Sequence, residues 1–472
     1  MLDEQDNIHI FSPYELDADE KNVEWKNGLP QAVIIRKTGN PERQIRLKGK
    51  IFLDAGEEGD LAAAFGCRFR NHKEGAAEFG EEMPDKYGTI PESGAGINAI
   101  AAEHPWLSTG LHFQLCLTKN EDFRKSFRMP EGYNRNAYLR LAEEIRSGRI
   151  LHFISADNSP GSLLHSIYLP NEKREVRPGH WLMTARGLPD TLPDYALQNL
   201  KWRDSLAEKL KLHYLGLLFF AQNDPAVPEN FRKEAAEYGL AKDEYRKNHG
   251  FPWYLRSVQG RRTEGKYLFT AHDGLPEKSQ KRTPVHRQSV FASRYFLKRA
   301  DSAGILSHHI TLPFGIMVPQ ERDNLICAVP VSASWRGNCI LRNEFSSLMG
   351  LGEAAGTAAA IAIRTGKTVH SLNVEFLQNQ LIKNGIQLTY IPDIPVGHPD
   401  FDLFQKAGLL GWIPNNEARP DAPVSQEELI FLSGKTGFSL KELSEAGKGI
   451  SRKNMFGFLL AKWNSADISK KP

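Results

Sequence analysis

The chain has 472 residues, of which 40% are hydrophobic and 25% charged, as is ordinary for a globular protein. Its 60 basic and 57 acidic side chains are interspersed along the sequence and give a formal net charge of +3. This balance gives no reason to expect a polyanion such as nucleic acid as a partner, and the length allows two or three domains.

The N-terminus is acidic, and no uninterrupted apolar run reaches the roughly eighteen residues of a membrane span. The sequence therefore predicts a cytoplasmic protein without a membrane partner, or an exported one if a signal peptide precedes Met1. None of the four cysteines forms a CxxC pair, which argues against a disulfide framework or a zinc cluster. We predict no metal site, and Cys327, in an apolar run, is predicted to be a buried thiol.

The first part of the chain is rich in short strand patterns separated by turn signals at Asn27-Gly28 and Gly39-Asn40. The predicted strands are Ile8–Phe11, Ala32–Ile35, Gln44–Leu47 and Lys50–Leu53. The last one runs into the glycine-bearing turn Asp54–Asp60, and a helix begins at Leu61. A strand that ends in such a turn before a helix is how open α/β sheets present an edge to a ligand.

The long middle region mixes helices with a strand. The patterns predict a strand at Leu111–Leu117 and helices at Asn136–Arg146, Tyr195–Phe220 and Pro228–Tyr238. Basic residues cluster between Arg256 and Lys266 and again between Lys278 and Arg287. Either cluster is suited to an anion, but solvated surface is the commoner explanation for such residues.

Strand patterns return after Ile305, at His308–Leu312 and Asn324–Val329. Adjacent residues on a strand point to opposite faces, so His308 and His309 do not both ligate one metal. Two interpretations stay open: one of these histidines faces a pocket, or it is hydrogen-bonded in place.

A run of small residues begins at Gly350 and closes at Gly366. It predicts a helix with its N-terminus at Gly350–Gly352. A bare helix N-terminus favours an anion or an electron-rich ring oxygen. The alternative is a helix kept slim so that it packs tightly against a sheet. A further helix is predicted from Asn373 to Lys383, and a small helical tail follows.

Three separated stretches together resemble a bacterial family of FAD-dependent oxidoreductases, some members of which are labelled xanthan lyase. The first is Lys50–Ala55 with Gly59–Ala62, and the second is Arg261-Arg262 with Gly265, Tyr267 and Leu268. The third runs from Asn324 through Val331–Ser334 and Arg342 to Gly352–Ala359, and it is the most specific.

The resemblance implies an α/β fold. The expected architecture is an incomplete FAD/NAD(P)-binding (Rossmann-like) domain with an inserted α+β substrate domain and a helical C-terminal tail. Residues 1–66 would form the first part of the FAD-binding domain, 67–304 the substrate domain, 305–385 the return to the FAD-binding domain, and 386–472 the tail.

The resemblance also implies roles for particular residues. The expected cofactor-binding residues lie in the turn and in the late segment: Asp54, Ala55, Gly56, Gly59, Asp60, Ser332, Arg342, Gly352, Ala354, Ala355 and Gly356. Arg261 and Arg262 are candidates for fixing an anionic or hydroxyl-rich substrate, and His309, with His308 as its alternative, is a candidate for proton transfer.

The sequence departs from the family pattern in two places. No G-x-G-x-x-G turn precedes Asp54, and Gly56 and Glu57 stand where the family tends to carry Thr and Gly. Without the usual diphosphate donors, tight FAD binding by this chain alone is not expected. A separate polypeptide would have to supply the dinucleotide-binding unit, unless the coding sequence starts before Met1.

Two functions fit these observations. The first is an FAD-dependent oxidoreductase that acts on a small, carbohydrate-related molecule, provided that the missing dinucleotide-binding unit is supplied. The second is a family remnant that has lost its cofactor and binds a glycan or another protein.

Overall fold

The computed structural model describes residues 5–72, 74, 78–81, 111–156, 161–188, 194–256, 260–274, 287–298, 305–343, 345–413, 416–447 and 449–465. Contacts between residues divide the chain into two compact units. The first unit consists of Met1–Arg70, Gly75–Ile90 and Arg262–Pro472, and the second of Asn71–Glu74 and Pro91–Arg261. Residues 262–304 thus group with the first unit, whereas the sequence-based division placed them in the inserted domain. That functional division stays a prediction.

The strands among these residues, in chain order, are β1 (Tyr14–Glu15), β2 (Val23–Lys26), β3 (Leu29–Lys37), β4 (Asn40–Lys48), β5 (Phe52–Asp54), β6 (Phe69–Arg70), β7 (Leu115–Thr118), β8 (Arg124–Lys125), β9 (His152–Ala156), β10 (Ser162–Leu169), β11 (Lys173–Pro178), β12 (Gly239–Ala241), β13 (Arg262–Thr263), β14 (Ser289–Lys298), β15 (Ile305–Pro313) and β16 (Leu325–Cys327). The α-helices are α1 (Asp60–Ala64), α2 (Leu139–Arg146), α3 (Leu200–Asn223), α4 (Glu229–Ala236), α5 (Trp335–Asn343), α6 (Phe345–Thr365), α7 (Val374–Lys383), α8 (Phe401–Leu409), α9 (Gln426–Thr436), α10 (Leu440–Gly447) and α11 (Arg452–Ser465).

The first unit opens with an antiparallel sheet in which β3 pairs with β1, β2 and β4. The predicted turn between β2 and β3 is present, with Asn27 and Gly28 both at positive φ, as tight hairpin turns require. The predicted strand at Ile8–Phe11 is wrong. All four of its side chains are exposed, so the alternation has no core to face.

The start of the chain and its late segment share a parallel strand pair. Strand β5 runs beside β16, with Phe52 opposite Leu325 and Asp54 opposite Cys327. Leu325, Ile326 and Cys327 are completely buried, as parallel strands in α/β proteins usually are. The expectation that these two parts join in one sheet is confirmed.

Helix α6 begins at Phe345, directly after α5, so the prediction that its N-terminus lies at Gly350–Gly352 is wrong. Gly350 is instead a packing position. A Cβ placed there would lie 2.3–2.5 Å from three ring atoms of Phe291 on β14. For Gly350 the alternative interpretation holds: the helix is kept slim at this residue so that it packs closely on a strand.

One face of α6 belongs to the core of the first unit. Leu351, Ala354, Ala355 and Ala358 are completely buried on it. The window Ser346–Thr365 is long and apolar enough to cross a membrane by length and composition, and half of it is buried inside the protein. Glu353 and Arg364 lie within this window, so it is not an uninterrupted apolar run. A core helix passes the same test, so this finding does not establish a membrane span.

The C-terminal region is helical, as predicted. Helices α7 to α11 contribute their apolar side chains to the same core as α6. Phe404 of α8 meets Phe456 of α11 edge to face, with ring centroids 5.6 Å apart. Trp412 and Trp463 form a second such contact, also at 5.6 Å.

The second unit is built around a six-stranded sheet with the order β8-β12-β7-β11-β10-β9. Strands β9 and β10 run parallel, and all other neighbours are antiparallel. Helices α2, α3 and α4 supply much of its core, in which Tyr214, Phe220 and Phe153 are completely buried. Helix α3 is preceded by a 3-10 turn at Tyr195–Leu197, so the predicted helix from Tyr195 is divided into two parts.

Candidate functional site

The turn after β5 is shaped by a buried carboxylate. Asp54 is only 3% exposed. Its Oδ1 accepts a hydrogen bond from the Gly56 N–H at 2.9 Å, and its Oδ2 accepts one from the Ala62 N–H at 2.8 Å. Hydrogen bonds to a charged acceptor are each worth about 1.5–3 kcal/mol. Asp54 therefore holds the turn and the first residues of α1 in place.

The glycines of this turn have separate local roles. Gly59 precedes α1 with φ 67° and ψ 38°, the left-handed conformation that glycine adopts without steric cost. A Cβ at Gly56 would lie 3.3 Å from the Asp54 carboxylate, which is a tight contact. The turn is therefore tightly folded next to the parallel strand pair. It contains the predicted residues Asp54, Ala55, Gly56, Gly59 and Asp60.

An ion pair connects this turn to α5. The Arg342 guanidinium lies 3.1 Å from the Glu57 carboxylate, and the two side chains are 9% and 21% exposed. The structure therefore brings together two predicted parts of the site, the turn and Arg342, which are far apart in the sequence. Nothing in the sequence identified Glu57 as the residue that joins them.

Ser332 lies in the core on the connection between β16 and α5. It is 1% exposed. Its N–H donates to the Ile316 carbonyl at 2.8 Å, and its carbonyl accepts from the Phe269 N–H at 3.0 Å. These backbone bonds fix the path of the chain towards Arg342.

The remaining predicted cofactor residues lie in the middle of α6. Gly352 and Gly356 are on its exposed face, whereas Ala354 and Ala355 are buried in the core. Inside an α-helix each N–H is bonded to the carbonyl four residues earlier. The amides at these four positions are therefore not the open donors of a helix N-terminus, which was the physical basis of their predicted role.

The predicted substrate residues have different surroundings. Arg262, in the first unit, is 1% exposed, and its Nε donates to the Ala333 carbonyl at 3.1 Å. His309, also in the first unit, stacks on the Tyr390 ring, with centroids 3.3 Å apart and an interplanar angle of 11°. Arg261 is 5% exposed and belongs to the second unit. The side chain of His308 lies outside the described ones.

Sequence reasoning missed Glu81, which is 2% exposed. Its carboxylate accepts hydrogen bonds from the Ala271 N–H at 2.6 Å and from the Ser334 hydroxyl at 2.5 Å. Its carbonyl accepts one from Arg336 at 2.5 Å. These partners are between 190 and 255 residues away in the chain, so no local signal could have revealed the contacts.

The thiols near the turn are held in their protonated form. Complete burial, and secondarily the charge of Asp54, raise the pKa of Cys327 well above its usual value. Burial, reinforced by Glu321, raises the pKa of Cys67 to about 12. A thiol is a nucleophile or metal ligand only as the thiolate, so neither serves as one at neutral pH. The described residues contain no group of three His, Cys, Asp or Glu side chains suited to a metal ion.

The parallel strand pair and its glycine-bearing turn define a mixed α/β protein with an edge of the kind at which such folds place ligands. A family model described as FAD dependent oxidoreductase matches residues 6–381, and the chain belongs to that family. Neither the comparison with curated proteins nor that with solved structures gives a match.

The described residues of this turn do not fit the diphosphate of FAD. The N–H of Gly56 in the turn and that of Ala62 in α1 already donate to Asp54. Arg342, the cation joined to the turn, is neutralised by Glu57. The segment Asp54–Asp60 itself carries four carboxylates. Diphosphate sites normally offer open N–H groups at a helix N-terminus. A diphosphate placed at this turn would instead be repelled by the carboxylates and would find few hydrogen-bond donors.

Proposed function

We propose that this chain forms the flavin side of an FAD-dependent oxidoreductase, and that a glycine-rich strand–turn–helix on a separate polypeptide binds the diphosphate. The observation that carries the proposal is the ion pair between Glu57 and Arg342, next to the parallel pair of β5 and β16. Both lie within the residues that the family model matches.

In this proposal the flavin side is bordered by the Asp54–Asp60 turn, Ser332 and Arg342. A protein that uses a cofactor contributes binding, orientation and electrostatics. Asp54 contributes orientation, because it holds the turn rigid through two hydrogen bonds. The Arg342–Glu57 pair contributes by fixing α5 against that turn.

The proposed substrate is a small, carbohydrate-related molecule. Arg261 and Arg262 are the candidates for binding its hydroxyl or acidic groups, and His309 is the candidate for proton transfer. The burial of both arginines supports roles in which a cation is held in one orientation. The proposed partner is a separate polypeptide that carries the diphosphate-binding unit.

Flavin binding by the purified full chain tests this function. If the flavin ring is bound without help from the diphosphate, riboflavin and FAD should bind with dissociation constants within about threefold of each other, because the adenylate part adds few contacts. We expect Arg342→Gln to weaken both equally, since it removes the ion pair that fixes α5 against the turn. Fluorescence quenching of each flavin measures the binding. The exposed Arg146→Gln on α2 is the matched control and should change neither.

A second candidate function is a cofactor-less member of the family that binds a glycan. Two observations favour it. The N–H groups of Gly56 and Ala62 already donate to Asp54, and Trp253 and Tyr254 of the second unit are 65% and 50% exposed. Exposed aromatic rings offer apolar faces on which a sugar ring can lie. Protein that binds neither riboflavin nor FAD would rule out the oxidoreductase and leave this function.

A further inference from the structure

Helix α6 carries an exposed apolar face that runs from Met349 to Ile363. Met349 is 76% exposed and Ile363 is 47% exposed, and Gly352, Gly356 and Ala360 lie exposed between them. These residues are spaced by three or four positions, which places them on one side of the helix. The opposite side is the one buried in the core.

This face offers room for close contact with another helix. No atom lies within 4 Å of a Cβ placed at Gly352 or at Gly356, so the described parts of the chain leave the space above both glycines open. Small residues at a spacing of four let two helix backbones approach closely, and larger apolar residues at the ends add buried area. An exposed apolar surface of this kind marks an interaction site.

The charged residues beside this face can pair with the same residues of a second copy. Glu353 and Arg364 are both exposed and lie on the same flank of the apolar stripe. In an antiparallel pair of α6 helices centred near Ala358, Gly356 of one copy lies opposite Ala360 of the other. The same register sets Glu353 within one residue of Arg364 of the second copy. Glu353 accepts one hydrogen bond inside the chain, from Asn384 Nδ2 at 3.4 Å.

We propose that α6 is the contact of a homodimer, in which two copies of this chain pair their α6 helices antiparallel about a two-fold axis. A two-fold contact uses the same surface on both copies, so each favourable pair occurs twice. The dimer therefore has two Glu353–Arg364 pairs that flank a close crossing of the glycine stripe. This contact is independent of whether the chain binds FAD.

Charge reversal of the full-length chain tests the register. Sedimentation equilibrium should show a concentration-dependent dimer for the wild type. Glu353→Arg and Arg364→Glu should each weaken dimerisation about tenfold, because each puts like charges together at two places. The double variant should regain most of the wild-type affinity, since it restores opposite charges. Both positions are exposed, so these variants are expected to fold.

A steric variant tests the close approach. Gly356→Leu fits the single chain, because the described residues leave the space above this residue open, but it blocks a second helix from approaching. It should abolish the dimer while circular dichroism stays unchanged. Gly434→Leu is the matched control, since Gly434 of α9 is also exposed and no atom of the described residues lies within 4 Å of a Cβ placed there. It should leave the dimer intact.

Four outcomes would overturn the proposal. A wild-type chain that stays monomeric at the highest attainable concentration would exclude a second copy as the occupant. A dimer that survives Gly356→Leu, or one that the double charge reversal fails to restore, would place the contact elsewhere. A monomer that floats with phosphatidylcholine vesicles would assign this apolar face to a lipid surface instead.

Discussion

Three histidines of the second unit, the buried His165 and His213 and the half-buried His180, favour their neutral form. Burial lowers the pKa of His165 and of His213, and it lowers that of His180 to about 4. For His180 the nearby Glu144 carboxylate, 3.8 Å away, opposes this shift. Arg149 and Arg140, which both pair with Glu144, act in the same direction as burial and lower the pKa of His180. His180 therefore packs as a neutral ring whose Nδ1 accepts the Leu182 N–H.

This arrangement predicts a loss of stability in mild acid. Between pH about 6.5 and 4 the unfolded chain binds a proton at His180 that the folded chain does not, so the free energy of unfolding decreases as the pH falls. Each unit of pH in that window costs about 1.4 kcal/mol. In His180→Asn the amide oxygen can still cap the following turn but does not titrate. The variant should lose about 1–2 kcal/mol less than the wild type between pH about 7.5 and 5.

Urea unfolding of the second unit, followed by the fluorescence of its tryptophans, measures this difference. The exposed His152→Asn on β9 serves as the control and should follow the wild type. If His180→Asn keeps the full pH dependence of the wild type, His180 is charged in the folded chain and pairs with Glu144.

At the residue level, sequence reasoning found side chains near the turn but not the bonds between them. Asp54 and Arg342 were predicted because they belong to recognisable stretches. Glu57 and Glu81 were not, since the partners of each lie hundreds of residues away and leave no local pattern. Long-range pairs of this kind depend on the folded path of the chain.

The first turn of α6 shows how tertiary contacts move the end of a helix. Ser346 and Ser347 would normally weaken a helix, because their hydroxyls compete for backbone groups. Here Ser347 donates to the Ser293 hydroxyl of β14 at 2.7 Å, and Ser346 lies 3.2 Å from the same group. The serines are thus satisfied by the neighbouring strand, and the helix extends back to Phe345. The sequence predicted the helix itself but could not place its start.

A second contact between these elements gives a prediction for Gly350. Its missing Cβ would fall 2.3–2.5 Å from ring atoms of Phe291, closer than any real contact. Gly350→Ala should therefore lower the free energy of unfolding by about 1–3 kcal/mol through overpacking. Gly457→Ala in α11 is the matched change, because none of the atoms that the structure describes lies within 4 Å of a Cβ placed there. It should raise the free energy by about 0.5–1 kcal/mol, the usual gain from Gly to Ala inside a helix.

Chemical denaturation of both variants at equal protein concentration measures the two changes. A Gly350→Ala protein as stable as the wild type would show that the Phe291 ring moves aside freely. In that case α6 does not owe its position to close packing on β14.

The order of segments along the whole molecule was partly predictable. Recognisable stretches at both ends of the first unit predicted that β5 and β16 share a sheet, and they do. The residue at which the chain returns to the first unit was not predictable, because the contacts that decide it join residues far apart in the sequence. Strand β13 pairs with β6, which places Arg262 opposite Arg70. A two-residue strand carries no periodic signal of its own.

The two units have separate hydrophobic cores, and this gives a prediction for the whole chain. The buried cluster of the second unit draws only on residues between Leu111 and Leu255, whereas the clusters of the first unit draw on residues outside that range. Leu217 of α3 is 1% exposed in the second core, and Leu351 of α6 is completely buried in the first. Each Leu→Ala change should cost about 2–5 kcal/mol by leaving a cavity.

Because a stability loss spreads through the cooperative unit that contains it, the damage from each change should stay within one unit. Hydrogen exchange measured peptide by peptide resolves this. Leu217→Ala should speed exchange in α3 and the six-stranded sheet while α6 and α11 keep wild-type protection, and Leu351→Ala should do the reverse. Each variant is the control for the other. Faster exchange throughout the chain in either variant would mean that the two cores unfold as one, and that the chain has a single cooperative unit despite its divided contacts.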